Sequence, residues 1–230
     1  MNALPKLKNN IIICGHFGCG KTNVAVGLAT LMAKSGNRLG IVDLDIVNPY
    51  FRTADSVPEL KKLGVDCFVP QFANTNVDIP SLGSEISSVF AKQATDASYS
   101  AIFDVGGDNG AIVLGRYRRE LIEHGYSMIF VASMYRPLTS TPEQAVEGLR
   151  EIEACSGLRV DAIINNSNLG RETTTEEIKA SIPYIEEISS LTGLPCIAVT
   201  LHNEDAVEQL CAEYPDHNFI AIPDSTKKLF

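Results

Sequence analysis

No apolar run in this 230-residue sequence approaches the roughly 18–20 residues that a membrane-spanning helix needs. The first ten residues carry lysines, but the apolar segment behind them, residues 11–13, is too short for the core of a signal peptide. The expected location is therefore the cytoplasm. No Cys-x-x-Cys occurs either. The six cysteines (Cys14, Cys19, Cys67, Cys155, Cys196 and Cys211) are scattered, and in a reducing compartment they are expected as free thiols, several of them buried. Positive charge is scarce. Lys plus Arg number 19 against 28 Asp plus Glu, a net charge of −9. Tight nonspecific nucleic-acid binding needs a basic footprint, so nucleic acid is not an expected partner. Internal repeats, low-complexity tracts and linker-like shifts in composition are also lacking.

Apolar residues make up 45% and charged residues 20% of the chain, enough for a sizeable core and incompatible with a disordered or collagen-like chain. At about 150 residues per domain, and with no internal boundary, residues 1–230 read as one domain. Short β-branched runs alternate with longer amphipathic stretches. Strands are predicted at 11–14, 39–44, 67–69, 99–105, 128–133, 160–165, 195–200 and 219–222. Helices are predicted at 21–35, 82–97, 111–123, 142–155 and 204–212, with another opening on a capping box, Thr174 and Glu177, and running to about 190. In the first helix Val24, Leu28, Leu31 and Met32 form an apolar stripe, and Gly36 supplies the stop. Nearly all-apolar strands alternating with helices imply an α/β fold, a mostly parallel sheet of about seven or eight strands covered on both faces. Ligands of such folds sit at the carboxyl ends of the strands.

The loop after the first strand reads Gly15-His16-Phe17-Gly18-Cys19-Gly20-Lys21-Thr22. This is G-x-x-x-x-G-K-T between strand and helix, the Walker A arrangement. The glycines let several backbone N–H groups turn inward into an anion nest, and the following helix adds its positive dipole end. Lys21 is expected on the β- and γ-phosphates and the Thr22 hydroxyl on Mg²⁺. His16 and Cys19 read as loop fillers. Two thiolates, Cys14 and Cys19, leave a zinc ion or cluster under-coordinated.

Two acidic segments follow. The second strand ends in Asp43-Leu44-Asp45, two carboxylates at i and i+2. Asp43 suits a Mg²⁺ shell and Asp45 the orientation of an attacking water. A later apolar strand ends in Asp104-Val105-Gly106-Gly107-Asp108. An apolar strand ending in Asp is the Walker B pattern, and the two glycines give a backbone able to respond to a γ-phosphate. Arg52, beside the first acidic segment, is a candidate for phosphate or partner contact. Tyr135-Arg136-Pro137 follows another strand end and is placed on the substrate side. Arg116, Arg118 and Arg119 read as a solvated helix face, and His124, His202 and His217 as ordinary histidines without ligand-like spacing. Asn165, Asn166 and Asn168 are candidates to read a base. They lack the Lys and Asp of a guanine-reading N/T-K-x-D, which favours ATP over GTP.

On these loops the chain resembles the SIMIBI-class P-loop ATPases of the nitrogenase iron protein, MinD and ParA group, the CobQ/CobB/MinD/ParA nucleotide-binding grouping. Asp43-Leu44-Asp45 is similar to that group's first switch, and Asp104-Val105-Gly106-Gly107-Asp108 to the second switch of the nitrogenase iron protein. The strand ending at Asn165 resembles the one whose terminal Asn binds the base, and Ile222-Pro223-Asp224 the late segment that closes over the adenine. The resemblance implies a P-loop NTPase three-layer sandwich. Bound ATP and Mg²⁺ follow from it, with Thr22, Asp43 and Asp104 around the metal and Asn165, Asn166, Pro223 and Asp224 around the base. It also implies a slow ATP hydrolase that acts as a nucleotide-dependent switch or in partner or cofactor maturation, with a homodimer or protein partner. Two alternatives from other classes stand beside it. One is a carboxylate-activating ligase resembling dethiobiotin or cobyrinate diamide synthetases, and the other a non-catalytic nucleotide-gated adaptor. At two places the chain departs from the group. His16 stands where the group's loop has its signature Lys, and Phe17 follows where it has Gly. Asn109-Gly110-Ala111 follows the second switch where the iron protein has its cluster Cys, so no such cluster is expected.

Overall fold

The computed structural model describes residues 4–45, 53–69 and 82–222. Eight strands form one all-parallel sheet. In chain order the elements are β1 (Asn10–Cys14), α1 (Lys21–Lys34), β2 (Leu39–Asp43), α2 (Val57–Lys62), β3 (Asp66–Phe68), α3 (Leu82–Thr95), β4 (Ser100–Asp104), α4 (Asp108–Arg116), α5 (Arg118–His124), β5 (Tyr126–Ala132), α6 (Pro142–Ser156), β6 (Ala162–Asn165), α7 (Thr175–Ala180), α8 (Ile182–Thr192), β7 (Cys196–Leu201), α9 (Asp205–Glu213) and β8 (Phe219–Ala221). The sheet order is β3-β2-β4-β1-β5-β6-β7-β8. Strands β2 and β3 lie on one side of β1 with β4 inserted between β1 and β2, and β5 to β8 follow in order on the other side. Such a reversal opens a crevice at the carboxyl ends of the strands.

Each central strand is buried on both faces, and alternation divides its side chains between two cores. Ile11 and Ile13 of β1, Ile41 of β2 and Ile102 of β4 pack with Val24 and Leu28 of α1. Ile12 and Cys14, Val42 and Phe103 pack on the opposite face, with Leu114, Leu149 and Ile185 from α4, α6 and α8. This division explains why the strands read as unbroken apolar runs. It also fixes where their last residues go: Asp43 and Asp104 follow the parity of Ile41 and Ile102, toward the α1 face.

Three features differ from the sequence expectation. The helix predicted at 111–123 is two helices, α4 and α5, separated at Tyr117, where φ −106° and ψ 13° leave the helical range. Leu114, Tyr117 and Leu121 all pack on the same core, so the apolar spacing runs through the break and hides it. The helix predicted from Thr174 to about 190 divides at Ser181 into α7 and α8. Pro183 explains that division, since a proline inside a continuous helix lacks the N–H and clashes with the preceding turn. The capping box at its start is present: the Thr174 N–H and hydroxyl donate to Glu177 at 2.6 and 2.9 Å. Helix α2 is the third difference, a six-residue element too short to show a periodic stripe.

Candidate phosphate-binding site

The loop Gly15–Thr22 joins β1 to α1 at the centre of the carboxyl edge of the sheet. Its turns need glycine: φ is 147° at Gly15, 82° at Gly18 and 84° at Gly20, values that side chains with a Cβ resist. At Gly20 a Cβ would also run into the Asn166 side-chain amide. The loop closes on one carbonyl. The Cys19 N–H at 3.4 Å, the Cys19 thiol at 2.9 Å and the Lys21 ammonium at 3.0 Å all donate to the His16 carbonyl. Lys21 is buried, only 6% exposed, so its charge rests on this hydrogen bond inside the loop. The Phe17 N–H donates to His16 Nδ1 at 2.9 Å, and the Phe17 ring stands 64% exposed at the rim. Burial pushes the Cys14 and Cys19 thiols well above the ordinary thiol range, which makes both poor nucleophiles at neutral pH.

Beside the loop lie the strand-end carboxylates. Asp43 and Asp104 are register partners across β2 and β4, and both are buried. Asp43 Oδ1 accepts from the Asp45 N–H at 2.9 Å, which turns the chain so that Asp45 reaches the cleft. Asp45 packs against the second acidic segment. A Cβ on Gly106 would stand 2.5 Å from Asp45 Oδ1, so the two segments meet only because residue 106 has no side chain. Asp104 Oδ2 accepts from the Thr53 hydroxyl at 2.9 Å, whereas Oδ1 has no partner among the described residues. Burial pushes the Asp104 carboxyl up, against the opposing pull of Thr22, Lys21 and Thr53. A buried carboxylate with an unmet oxygen, next to Thr22 and Lys21, is a donor set suited to a Mg²⁺–phosphate pair. Magnesium takes one or two protein oxygens and completes its shell with water and phosphate. No group of three or more His, Cys, Asp or Glu that could hold a metal ion is found among the described residues.

A cleft of about 330 Å³ opens over the loop. Phe17 to Asn23, Asp45, Arg136, Asn166, Asn168, Gly170 and His202 line it. The structure thus brings Lys21, Thr22, Asp45 and Asn166 to one cleft, with Asp43 and Asp104 behind it. It does not bring Asn165 there. Asn165 is fully buried, its amide donates to the Ser181 hydroxyl at 2.8 Å, and its oxygen accepts from the Ser167 N–H at 3.1 Å. Asn166 instead donates to the Cys19 carbonyl at 2.7 Å and accepts from Thr200 and Asn168 at 2.5 and 2.7 Å. Pro223, Asp224 and Arg52 lie outside the described residues. Arg118 and Arg119 serve the surface, through the Gly157 carbonyl and Glu123. His124 stacks on Phe90, and His217 meets Glu186.

His202 is the residue the sequence reading passed over. It follows β7, lines the cleft, and makes a 2.9 Å hydrogen bond through Nδ1 to the Ile222 carbonyl. A carbonyl only accepts, so Nδ1 carries the proton and Nε2 is left as an acceptor in the neutral ring. Its place directly after an apolar strand was the available signal.

No family model matches the chain, and no curated protein matches it. Solved structures do match in fold. The signal recognition particle receptor FtsY from Elizabethkingia anophelis superposes with a TM-score of 0.56 at 18% identity, over 87% of this chain and 61% of that one. The cell division protein ftsY from Thermotoga maritima gives 0.55 at 16% identity, over 87% and 64%. The Elizabethkingia protein in complex with GDP gives 0.56 at 16% identity, over 85% and 57%. The chain therefore spans about three fifths of the length of these structures. The likeness is one of fold, a parallel sheet flanked by helices.

Proposed function

We propose that the chain binds a Mg²⁺–nucleoside triphosphate, ATP in preference to GTP, and hydrolyses it slowly as a nucleotide-dependent switch. One observation carries this reading. A buried ammonium, Lys21, is held by a carbonyl of its own loop, beside a buried carboxylate, Asp104, that has an unmet oxygen. A buried ammonium and a buried carboxylate with an unmet oxygen, side by side at a glycine-rich loop, suit a ligand that brings phosphate and a cation together.

In this reading the backbone N–H groups of the loop and Lys21 hold the β- and γ-phosphates. Thr22 and Asp104 hold Mg²⁺, with Asp43 supporting from the neighbouring strand. The ion, when bound, neutralises charge on the phosphate oxygens. Asp45 lines the cleft and accepts a hydrogen bond from the attacking water, which orients its lone pair. The base lies toward Asn166, Asn168 and His202. Among the described residues Asp45 is the only carboxylate lining the cleft, and it stands on the phosphate side. A guanine would present N1–H and N2–H donors with no carboxylate to meet them, which supports adenine. The guanine reading has one observation in its favour, the GDP complex of the FtsY structure.

Calorimetry with Mg–ATP and Mg–GTP tests both points. Lys21→Ala should weaken Mg–ATP binding at least about tenfold, since charge-assisted contacts contribute roughly 1.5–3 kcal/mol. Unchanged affinity in that variant removes Lys21 from the phosphate site. If GTP displaces ATP with tenfold advantage from the wild type, the base assignment is wrong.

A further inference from the structure

We infer that Arg136 is a second phosphate ligand, supplied by the same chain from the segment after β5; this rests on the nucleotide reading above. The guanidinium stem lies against the phosphate loop, with Arg136 Cδ 3.8 Å from where a Cβ on Gly18 would be. Arg136 lines the cleft together with Gly18, Asn166 and Asn168. It is exposed and forms no ion pair or side-chain hydrogen bond among the described residues. An arginine fork with all its donors open, facing an anion nest, is suited to paired phosphate oxygens.

The segment that carries Arg136 is held from several directions. Pro137 confines the preceding residue to extended backbone, and Arg136 sits at φ −121° and ψ 133°. The Thr139 hydroxyl donates to the Ser133 carbonyl at 2.7 Å, and the Tyr184 hydroxyl to the Thr139 carbonyl at 2.7 Å. The Met134 N–H donates to the Ser167 hydroxyl at 2.9 Å, and the Tyr135 hydroxyl to the Glu177 carbonyl at 2.9 Å. These bonds tie the end of β5 to the loop after β6 and to α7 and α8. The backbone that carries the side chain therefore needs no further ordering for it to bind.

Charge balance asks for such a group. Asp43, Asp45 and Asp104 gather at the strand ends, against one lysine in the loop. A triphosphate adds more negative charge than Mg²⁺ and Lys21 together neutralise. Besides Lys21, Arg136 is the only Lys or Arg lining the cleft among the described residues.

The test is calorimetry on the full chain with Mg–ATP, Mg–ADP, AMP and adenosine (and the guanine series if GTP binds better), repeated at two salt concentrations. Wild type, Arg136→Ala, Arg136→Lys and Lys21→Ala are compared. Arg136→Ala should weaken the triphosphate about tenfold, the diphosphate less, and leave the nucleoside unchanged, with a shallower salt dependence. Arg136→Lys should recover part of the loss. A structural role for Arg136 would weaken every ligand alike. If Arg136→Ala binds the triphosphate within twofold of wild type while Lys21→Ala does not bind it, the inference is wrong and the phosphate site stands. If wild type binds no nucleoside triphosphate at all, both fall.

Discussion

Replacing Asp104 by Asn should raise the stability of the ligand-free protein and abolish its response to Mg²⁺–nucleotide. The carboxylate is buried, with the Thr53 hydroxyl on Oδ2 at 2.9 Å and no partner on Oδ1. A buried acceptor left unmet costs about 1–3 kcal/mol, and more when charged. Asn keeps an oxygen for Thr53 and removes the charge. In place of the unmet oxygen it puts an amide that can donate toward the neighbouring carboxylates. Taking about 1–2 kcal/mol as the gain, and about 2–4 °C per kcal/mol for a chain of this size, Tm should rise by about 2–8 °C. Thermal unfolding in EDTA measures this. With Mg–ATP at about a hundredfold over its Kd, wild type should gain about 2.7 kcal/mol, while the variant, lacking a metal ligand, should gain far less. The two proteins should therefore exchange rank: the variant melts higher in EDTA, wild type higher with Mg–ATP. If Asp104→Asn melts below wild type in EDTA, or responds fully to Mg–ATP, Asp104 is an ordinary buried polar residue and the metal assignment fails.

Asp45→Asn should cut ATP turnover at least about tenfold and leave ATP affinity within about threefold, the pattern of a contact made in the transition state; wild-type turnover in a phosphate-release assay would pass the role to Asp108 or to an absent acceptor. Away from the site, burial alone would raise the Asp66 carboxyl, but Lys92 at 2.6 Å and Tyr99 at 2.8 Å reverse that and hold it below the ordinary range. A depressed carboxyl stabilises the fold fully above its unfolded value of about 3.9 and loses that contribution as pH falls through the folded value. Urea midpoints should therefore drop less between about pH 5 and pH 3 in Asp66→Asn than in wild type, and equal drops would show that the Lys92–Asp66 pair contributes nothing.

What could be read from the sequence was what is local in the chain. The six inner strands were legible because burial on both faces makes each an apolar run, and the Walker A loop because its glycines, Lys21 and Thr22 are contiguous. The helix breaks were legible only in part. Pro183 announces the division at Ser181, whereas the break at Tyr117 lies inside an apolar stripe that continues across it. Arg136 and His202 each follow a strand end, a local signal that puts them on the carboxyl edge of the sheet, but their nearness to the phosphate loop comes from the sheet order, which sets β5 beside β1 and β6 beside β7. That order is a long-range outcome, and no spacing within the chain encodes it.

The choice between Asn165 and Asn166 shows the limit most clearly. Side chains alternate along a strand, so one step along the chain exchanges the two faces of the sheet. In a strand buried on one face, the polar residues mark which face is which. Strand β6 is buried on both, and Ala162–Asn165 carries no such mark. In the fold Ile163 joins the core under α6 and α8, and Ile164 the core under α1. Asn165 has the parity of Ile163 and reaches Ser181, between α7 and α8. Asn166 has the parity of Ile164 and reaches the Cys19 carbonyl of the phosphate loop. The same feature that makes the strand easy to find, burial on both faces, removes the information needed to say which asparagine meets the phosphate loop.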